Sequence, residues 1–246
     1  MDALFLSSVG VGFAAQIIDG TLGMAYGVTS TTFLLGIGVP PAAASACVHT
    51  SEIFTTALSG FFHLRFGNVD RKIFLKLLIP GIIGGVTGAY LLSNFPGDAV
   101  KPYTAAYMLL MGLFILRRAY KNITEARRQV PLVPLGLAGG FFDAIGGGGW
   151  GPIVTSTLVA QGSSPRNAVG SVNLAEFFVT VCESITFILF LGISHVNIIG
   201  GLLLGGVLAA PLAAWTCKKM PHRPFLWMVG FLIIILSLRT MFKIFF

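Results

Sequence analysis

Charge is what this chain has least of. Only 10% of its residues are charged, against roughly 25% in soluble domains, and the mean hydropathy is +0.86. So few ionic groups exclude a water-facing surface and put the chain in a bilayer. Cysteine is scarce as well. Cys47, Cys182 and Cys217 lie in separate apolar stretches, an odd number without metal-ligand spacing, which excludes a disulfide framework and a zinc site of the usual kind. The first residues carry no Lys or Arg, so the basic start of a cleaved signal peptide is missing and the first segment is expected to stay in the mature protein. No Walker A, dinucleotide-binding or nucleophile signature occurs, and the acids form no soluble-type dyad. An enzyme is therefore not expected, nor a cofactor or resident metal. The net charge of +7 does not mark a nucleic-acid binder, because the basic residues sit in short runs at the ends of apolar segments, where topology accounts for them.

What the chain does have is a duplication. Residues 12–56 and 136–180 align at a constant offset of 124 without a gap, with 14 matches in 45 positions. The matched residues are mostly glycine, acid and proline inside apolar sequence: Asp19 with Asp143, Gly23 with Gly147, Gly27 with Gly151, Pro41 with Pro165, Glu52 with Glu176. An apolar chain of two such halves is the pattern of a transporter whose site lies between repeats. Apolar stretches fall at about 3–37, 42–63, 73–95, 102–118, 131–161, 165–192, 195–217 and 223–245. Six have the length of one spanning helix, roughly 20 residues. The first and fifth are too long and are interrupted by Gly20, Gly23 and Gly27, and by Gly146, Gly147, Gly148, Gly149 and Gly151 with Pro152.

The basic residues distinguish two topologies. If each interrupted stretch turns back as a re-entrant hairpin, Lys and Arg divide 13 against 3 between the two faces; if each crosses once, 11 against 5. The hairpin is favoured. A hairpin plus three spanning helices makes an odd number of crossings, so the second half is inserted upside down. The expected fold is an all-α polytopic membrane protein of two inverted repeats, residues 1–120 and 131–246, joined by a cytoplasmic linker at 121–130.

The glycine interruptions are the first candidate site. In hydrocarbon, unwound backbone survives only where protein buries it or where it lines a watery cavity. Glycine lets amides approach a ligand, and the half-helix after each break turns its N-terminus toward an anion. The structural alternative is close helix packing, since Gly23/Gly27 and Gly147/Gly151 have GxxxG spacing. Asp19, Glu52, Asp143 and Glu176 are repeat-paired acids in apolar sequence, as is the unpaired Glu183, and intramembrane carboxylates are usually functional. Asp19 and Asp143 are read either as coupling groups or as caps of the breaks. Glu52 and Glu176 lie beyond any capping position and are read as proton-relay or ligand-orienting groups.

His49 and Glu52 share a helix face at i, i+3, as do Asn173 and Glu176. His49 offers proton exchange near neutral pH, or a structural hydrogen bond. Asn173, Ser171 and Thr50 offer uncharged donors for oxyanion oxygens, and Gln16 precedes the first break. Tyr26 and Trp150 match across the repeat and either shape the cavity or pack the core.

Two stretches as they stand, AspGlyThrLeuGlyMetAlaTyrGly followed by ProProAlaAlaAlaSerAlaCysValHisThrSerGluIlePhe, and AspAlaIleGlyGlyGlyGlyTrpGlyPro followed by SerProArgAsnAlaValGlySerValAsnLeuAlaGluPhePhe, resemble the TauE/SafE sulfite exporter family over essentially the whole chain. The resemblance implies a secondary transporter of small sulfur-containing or carboxylated anions, such as sulfite or an organosulfonate, in the cytoplasmic membrane of a prokaryote. Its carry-over falls on Asp19–Gly27, His49–Glu52, Asp143–Gly151 and Ser171–Glu176. The first loop departs from the glycine run of the second at Thr21, Leu22, Met24 and Ala25. A passive small-anion channel is the alternative. The expected partners are the anion and membrane lipid, with no nucleic acid; a homo-oligomer is compatible with this reading.

Overall fold

A computed structural model describes residues 3–22, 24–120, 131–216 and 222–245. The linker expected at 121–130 and the glycine at position 23 lie outside the described residues. Among these residues ten α-helices follow in order: α1 (Ala3–Leu22), α2 (Tyr26–Gly36), α3 (Pro41–Arg65), α4 (Arg71–Asn94), α5 (Gly97–Tyr120), α6 (Leu132–Gly146), α7 (Ser156–Ala160), α8 (Pro165–Leu191), α9 (Val196–Thr216) and α10 (His222–Phe245). A π-helical turn, Gly151–Thr155, leads into α7. No strand occurs among the described residues.

The helices start where local chemistry stops the chain from continuing as loop. Pro41 and Pro165 occupy the first helical position of α3 and α8, where a missing N–H costs nothing. Asp70 caps α4 by accepting from Lys72 N and Ile73 N, and Ser164 caps α8 by accepting from Asn167 N. Among the described residues, four helices are long and apolar enough to cross a membrane on their own, Arg71–Asn94, Gly97–Tyr120, Arg166–Leu191 and Leu226–Phe245. Polarity runs inside out. On α3, Ser45, His49, Glu52 and Thr56 are buried, while Phe54, Leu58, Phe61 and Phe62 face outward. On α4, Leu75, Ile79, Ile83 and Tyr90 are exposed. Water would penalise this arrangement and lipid favours it, so the chain is a multi-pass membrane protein.

Glycine contacts fix the helix directions. Gly201 of α9 lies against Phe5, Ser8 and Val9 of α1, and Gly205 against Val9 and Phe13, so α1 and α9 are parallel. Ser51 bonds to the Ile199 carbonyl and Thr55 touches Gly206, so α3 is parallel to α9 and hence to α1. In the other half, Gly81 meets Val179 and Gly85 meets Glu183, while Gly84 meets Leu137 and Phe141 and Gly88 meets Phe141 and Ala144. Helices α4, α6 and α8 therefore all run the same way. Because α1 and α3 are parallel, and α6 and α8 likewise, the short pieces between them, α2 and α7, must double back.

Equivalent helices of the two halves run in opposite directions. Helix α3 is antiparallel to α8: Gly60 contacts Leu174 and the Asn173 carbonyl, while Arg166 bonds to Asn68 Oδ1 and to the Phe66 carbonyl. Helix α5 is antiparallel to α10, with Gly112 against Ile233 and Ile234 and Gly230 against Leu116. Arg166 thus lies at the same end of the bundle as Arg65, Arg71 and Lys72, as the hairpin reading of the charge count expects.

Candidate functional site

Each break is a helix end capped by its own aspartate. In the second, Gly147 (φ 66°) and Gly148 (φ 147°) adopt backbone that side chains rarely enter. Asp143 Oδ1 then accepts from Gly149 N at 2.6 Å and Trp150 N at 2.9 Å, and the Asp143 carbonyl accepts from Gly148 N at 3.0 Å. In the first, Ala25 takes the left-handed turn (φ 92°), and the carboxylate of Asp19 holds the backbone N–H of Tyr26, the repeat mate of Trp150. Of the two readings of these aspartates, capping is what the geometry displays. It has a consequence for anion binding, because the amides expected to receive a substrate already hold carboxylates.

The breaks touch. A Cβ on Gly148 would collide with Gly27 and the amide of Val28, so only glycine allows the two turns to come so close. Thr31 Oγ1 donates to the Gly147 carbonyl at 2.5 Å across the same junction.

Between them lies a small cavity lined by Asp19 and Asp143, Ala25 and Gly149, Gly27 and Gly151, Val28 and Pro152, Glu52 and Glu176, together with Tyr26 and Gly148. Ten of these twelve residues form five pairs at the 124-residue offset, so the cavity is lined by matching parts of the two halves. Four carboxylates face it. Asp143 and Glu52 are 2% and 5% exposed and Glu176 is 9% exposed.

Next to the cavity, and sharing Asp143 with it, is a second group. His49 Nε2 lies 2.8 Å from Glu183 Oε2 and 3.5 Å from Asp143 Oδ2. Its Nδ1 sits 2.8 Å from the Ser45 carbonyl, a pure acceptor, so Nδ1 carries a proton. Ser45 Oγ donates to the Ala144 carbonyl at 2.6 Å, tying α3 to the helix that carries Asp143. His49 and Glu183 are fully buried, and Glu183 has room for its carboxylate because position 85 has no Cβ.

The other residues singled out from the sequence fall in different places. Gly20 lies in the last turn of α1, and Gly146 ends α6 against the ring of Tyr107. Gln16 is buried, and its Oε1 has no hydrogen-bond partner among the described residues. Thr50 donates to the Ala46 carbonyl of its own helix. Ser171 accepts from Asp70 N at 2.7 Å, which stations it at the α3–α4 turn rather than at the cavity. Asn173 is buried on α8, its backbone against Gly60. Tyr26 and Trp150 are both buried; Tyr26 donates to the Leu202 carbonyl at 3.2 Å and Trp150 Nε1 to the Val172 carbonyl at 3.1 Å, and of the two only Tyr26 also lines the cavity. Glu183 had been visible as an unpaired intramembrane acid, and Tyr107, whose hydroxyl is 3.4 Å from the Gly148 carbonyl, carried no sequence signal.

Known proteins of similar sequence are membrane transporters by description. The family described as Sulfite exporter TauE/SafE matches residues 8–240. A Bacillus subtilis (strain 168) protein described as probable membrane transporter protein YtnM is 46% identical over 242 residues, 94% of this chain and 80% of that protein. Probable membrane transporter protein YdhB of the same organism is 26% identical over 228 residues, 89% of each chain. Probable membrane transporter protein ORF9 of Sinorhizobium sp is 27% identical over 146 residues, 56% of this chain and 54% of that protein. No solved structure matches.

Proposed function

Because this chain belongs to the TauE/SafE sulfite exporter family, we propose that it is a secondary transporter of a small sulfur-containing oxyanion, sulfite or an organosulfonate, working by alternating access in a prokaryotic cytoplasmic membrane. The observation that carries the reading is the cavity between the breaks, lined by five repeat-related pairs. The halves act as inverted repeats, which the opposed directions of α3 and α8 and of α5 and α10 support. A two-fold axis in the membrane plane then exchanges the outward and inward exits of one central site. The basic end of the bundle, with Arg65, Arg71, Lys72 and Arg166, faces the cytoplasm.

The acid lining determines how an anion enters. An oxyanion at the Gly27, Val28 and Gly151 amides sits beside Asp19, Glu52, Asp143 and Glu176, and like charges at this range in a dry site repel by several kcal/mol. Entry therefore requires protons on the cavity carboxylates, so anion and proton move together. Glu52 and Glu176 are the carriers in this scheme, since Asp19 and Asp143 are engaged in capping.

The test is sulfite and organosulfonate flux in proteoliposomes under an imposed pH gradient. Wild type accumulates the anion against its own gradient only while the pH gradient lasts, and Glu176→Gln abolishes that dependence. Flux that merely equilibrates the anion, with or without the pH gradient, would sink the transporter reading in favour of a passive channel.

A further inference from the structure

The His49 group is not explained by anion transport. Histidine 49 has Asn173 as its repeat mate and Glu183 has Ser59, so this cluster exists in one copy. We propose that His49, Asp143 and Glu183 form an intramembrane site for one divalent transition-metal ion.

The first argument is the convergence of lone pairs. Since Nδ1 of His49 holds a proton on the Ser45 carbonyl, the neutral ring turns the bare lone pair of Nε2 toward two carboxylates. The three ligand atoms lie within 4.8 Å of one another. Such a convergence in a buried site calls for positive charge between the ligand atoms, a proton or a metal ion. A single proton shared between Nε2 and Glu183 Oε2 would satisfy that contact alone. Asp143 Oδ2, 3.5 Å away, and Glu183 Oε1 would still lack donors: neither atom has a hydrogen-bond partner among the described residues, in side chains that are almost wholly buried. A metal ion engages both carboxylates at once.

The second argument is distance and support. Metal bonds of 2.0–2.2 Å to N and O set neighbouring ligand atoms about 3.0–3.4 Å apart, and the two separations from His49 Nε2, 2.8 and 3.5 Å, bracket that range. Metal-bound histidines hold their second nitrogen on a carbonyl or carboxylate, and bound carboxylates are themselves hydrogen-bonded. Here the Ser45 carbonyl holds His49, and Gly149 N and Trp150 N hold Asp143.

The donor set defines the ion. One imidazole and two carboxylates carry two negative charges, matching a divalent ion. The imidazole disfavours calcium and magnesium, which prefer all-oxygen shells, and the absence of thiolate among the three disfavours copper(I). Manganese, iron, cobalt, nickel and zinc as divalent ions remain. Asp143 faces both the cluster and the cavity, so the cavity is the entry path.

The experiment uses the full chain in detergent without a polyhistidine tag, stripped by a chelator and then loaded with Co²⁺ alone. Expected are about one cobalt per chain after gel filtration, visible d–d absorption bands, and displacement by Zn²⁺. Glu183→Gln and His49→Gln each remove a direct ligand and should weaken binding by more than the 10–100-fold typical of supporting residues. If either variant aggregates, the wild-type protein still decides: Co²⁺ raises its melting temperature and the chelator reverses the rise. Wild type that takes up neither Co²⁺ nor Zn²⁺ overturns the proposal, as do folded variants that bind the metal equally well. Because no anion is present, these outcomes are independent of the transport reading.

Discussion

Replacing Gly148 by alanine tests the contact between the two breaks. Two penalties arise. At φ 147° an alanine is held in backbone that costs about 1–3 kcal/mol. Its Cβ would also overlap Gly27 and the amide of Val28, and relieving such overlap costs about 1–3 kcal/mol more. Gly192→Ala separates the two terms, because Gly192 also has positive φ, 71°, but a Cβ there meets nothing within 4 Å. Gly148→Ala should therefore be the less stable of the pair by about 1–3 kcal/mol, a melting-temperature gap of about 2–12 °C for a chain of this size. Thermal unfolding in detergent measures the gap, and proteoliposome flux measures its consequence: Gly148→Ala should lose transport by prising the half-helices apart, while Gly192→Ala keeps it. Equal melting temperatures together with equal flux would refute the claim that the breaks pack directly on one another.

Other outcomes follow from the same geometry. Asp143→Ala strips the acceptor from Gly149 N and Trp150 N, each a charge-assisted bond of about 1.5–3 kcal/mol, and should be more damaging to thermal stability than Thr31→Val, which removes one bond to the Gly147 carbonyl worth about 0.5–1.5 kcal/mol. In a background without other cysteines, Arg166→Cys should react with a membrane-impermeant thiol reagent from the same side as Arg71→Cys; labelling from opposite sides would contradict the doubling back of α7.

The fold was largely legible because membrane insertion leaves coarse marks. The apolar stretches anticipated the helices closely: 165–192 became Pro165–Leu191, and both over-long stretches are interrupted, the first between Leu22 and Tyr26 and the second after Gly146. The charge count anticipated the position of Arg166, since its logic depends on counting sides and not on contacts. The site was legible only where the repeat doubled the signal. Asp19, Glu52, Asp143 and Glu176 stood out by recurring, and they line one cavity. Glu183 and His49 meet where the repeat is broken, so no recurrence marked their pairing. Ser171 lies close to Asn173 in sequence, yet a helix turns about 100° per residue and its hydroxyl meets Asp70 instead. That the aspartates would occupy their own helix ends was one of two readings of the same motif, and the hydrogen bonds of Gly149 and Trp150 to Asp143 display that capping.

The glycine seams have a bearing on how the chain comes to be made. Helix α4 of the first half packs against α6 and α8 of the second, and α9 of the second packs against α1 and α3 of the first. Each half has lent a helix to the other. When α1 leaves the ribosome, the surface bearing Gly12 faces a partner, Leu202, that is still 190 residues from synthesis, about 10–40 s away at ordinary elongation rates. For that interval the first half waits in the membrane with an open seam. Closure of the α1–α9 seam therefore waits for the second half, and the duplicated sequence yields one interlocked body, not two halves able to stand apart.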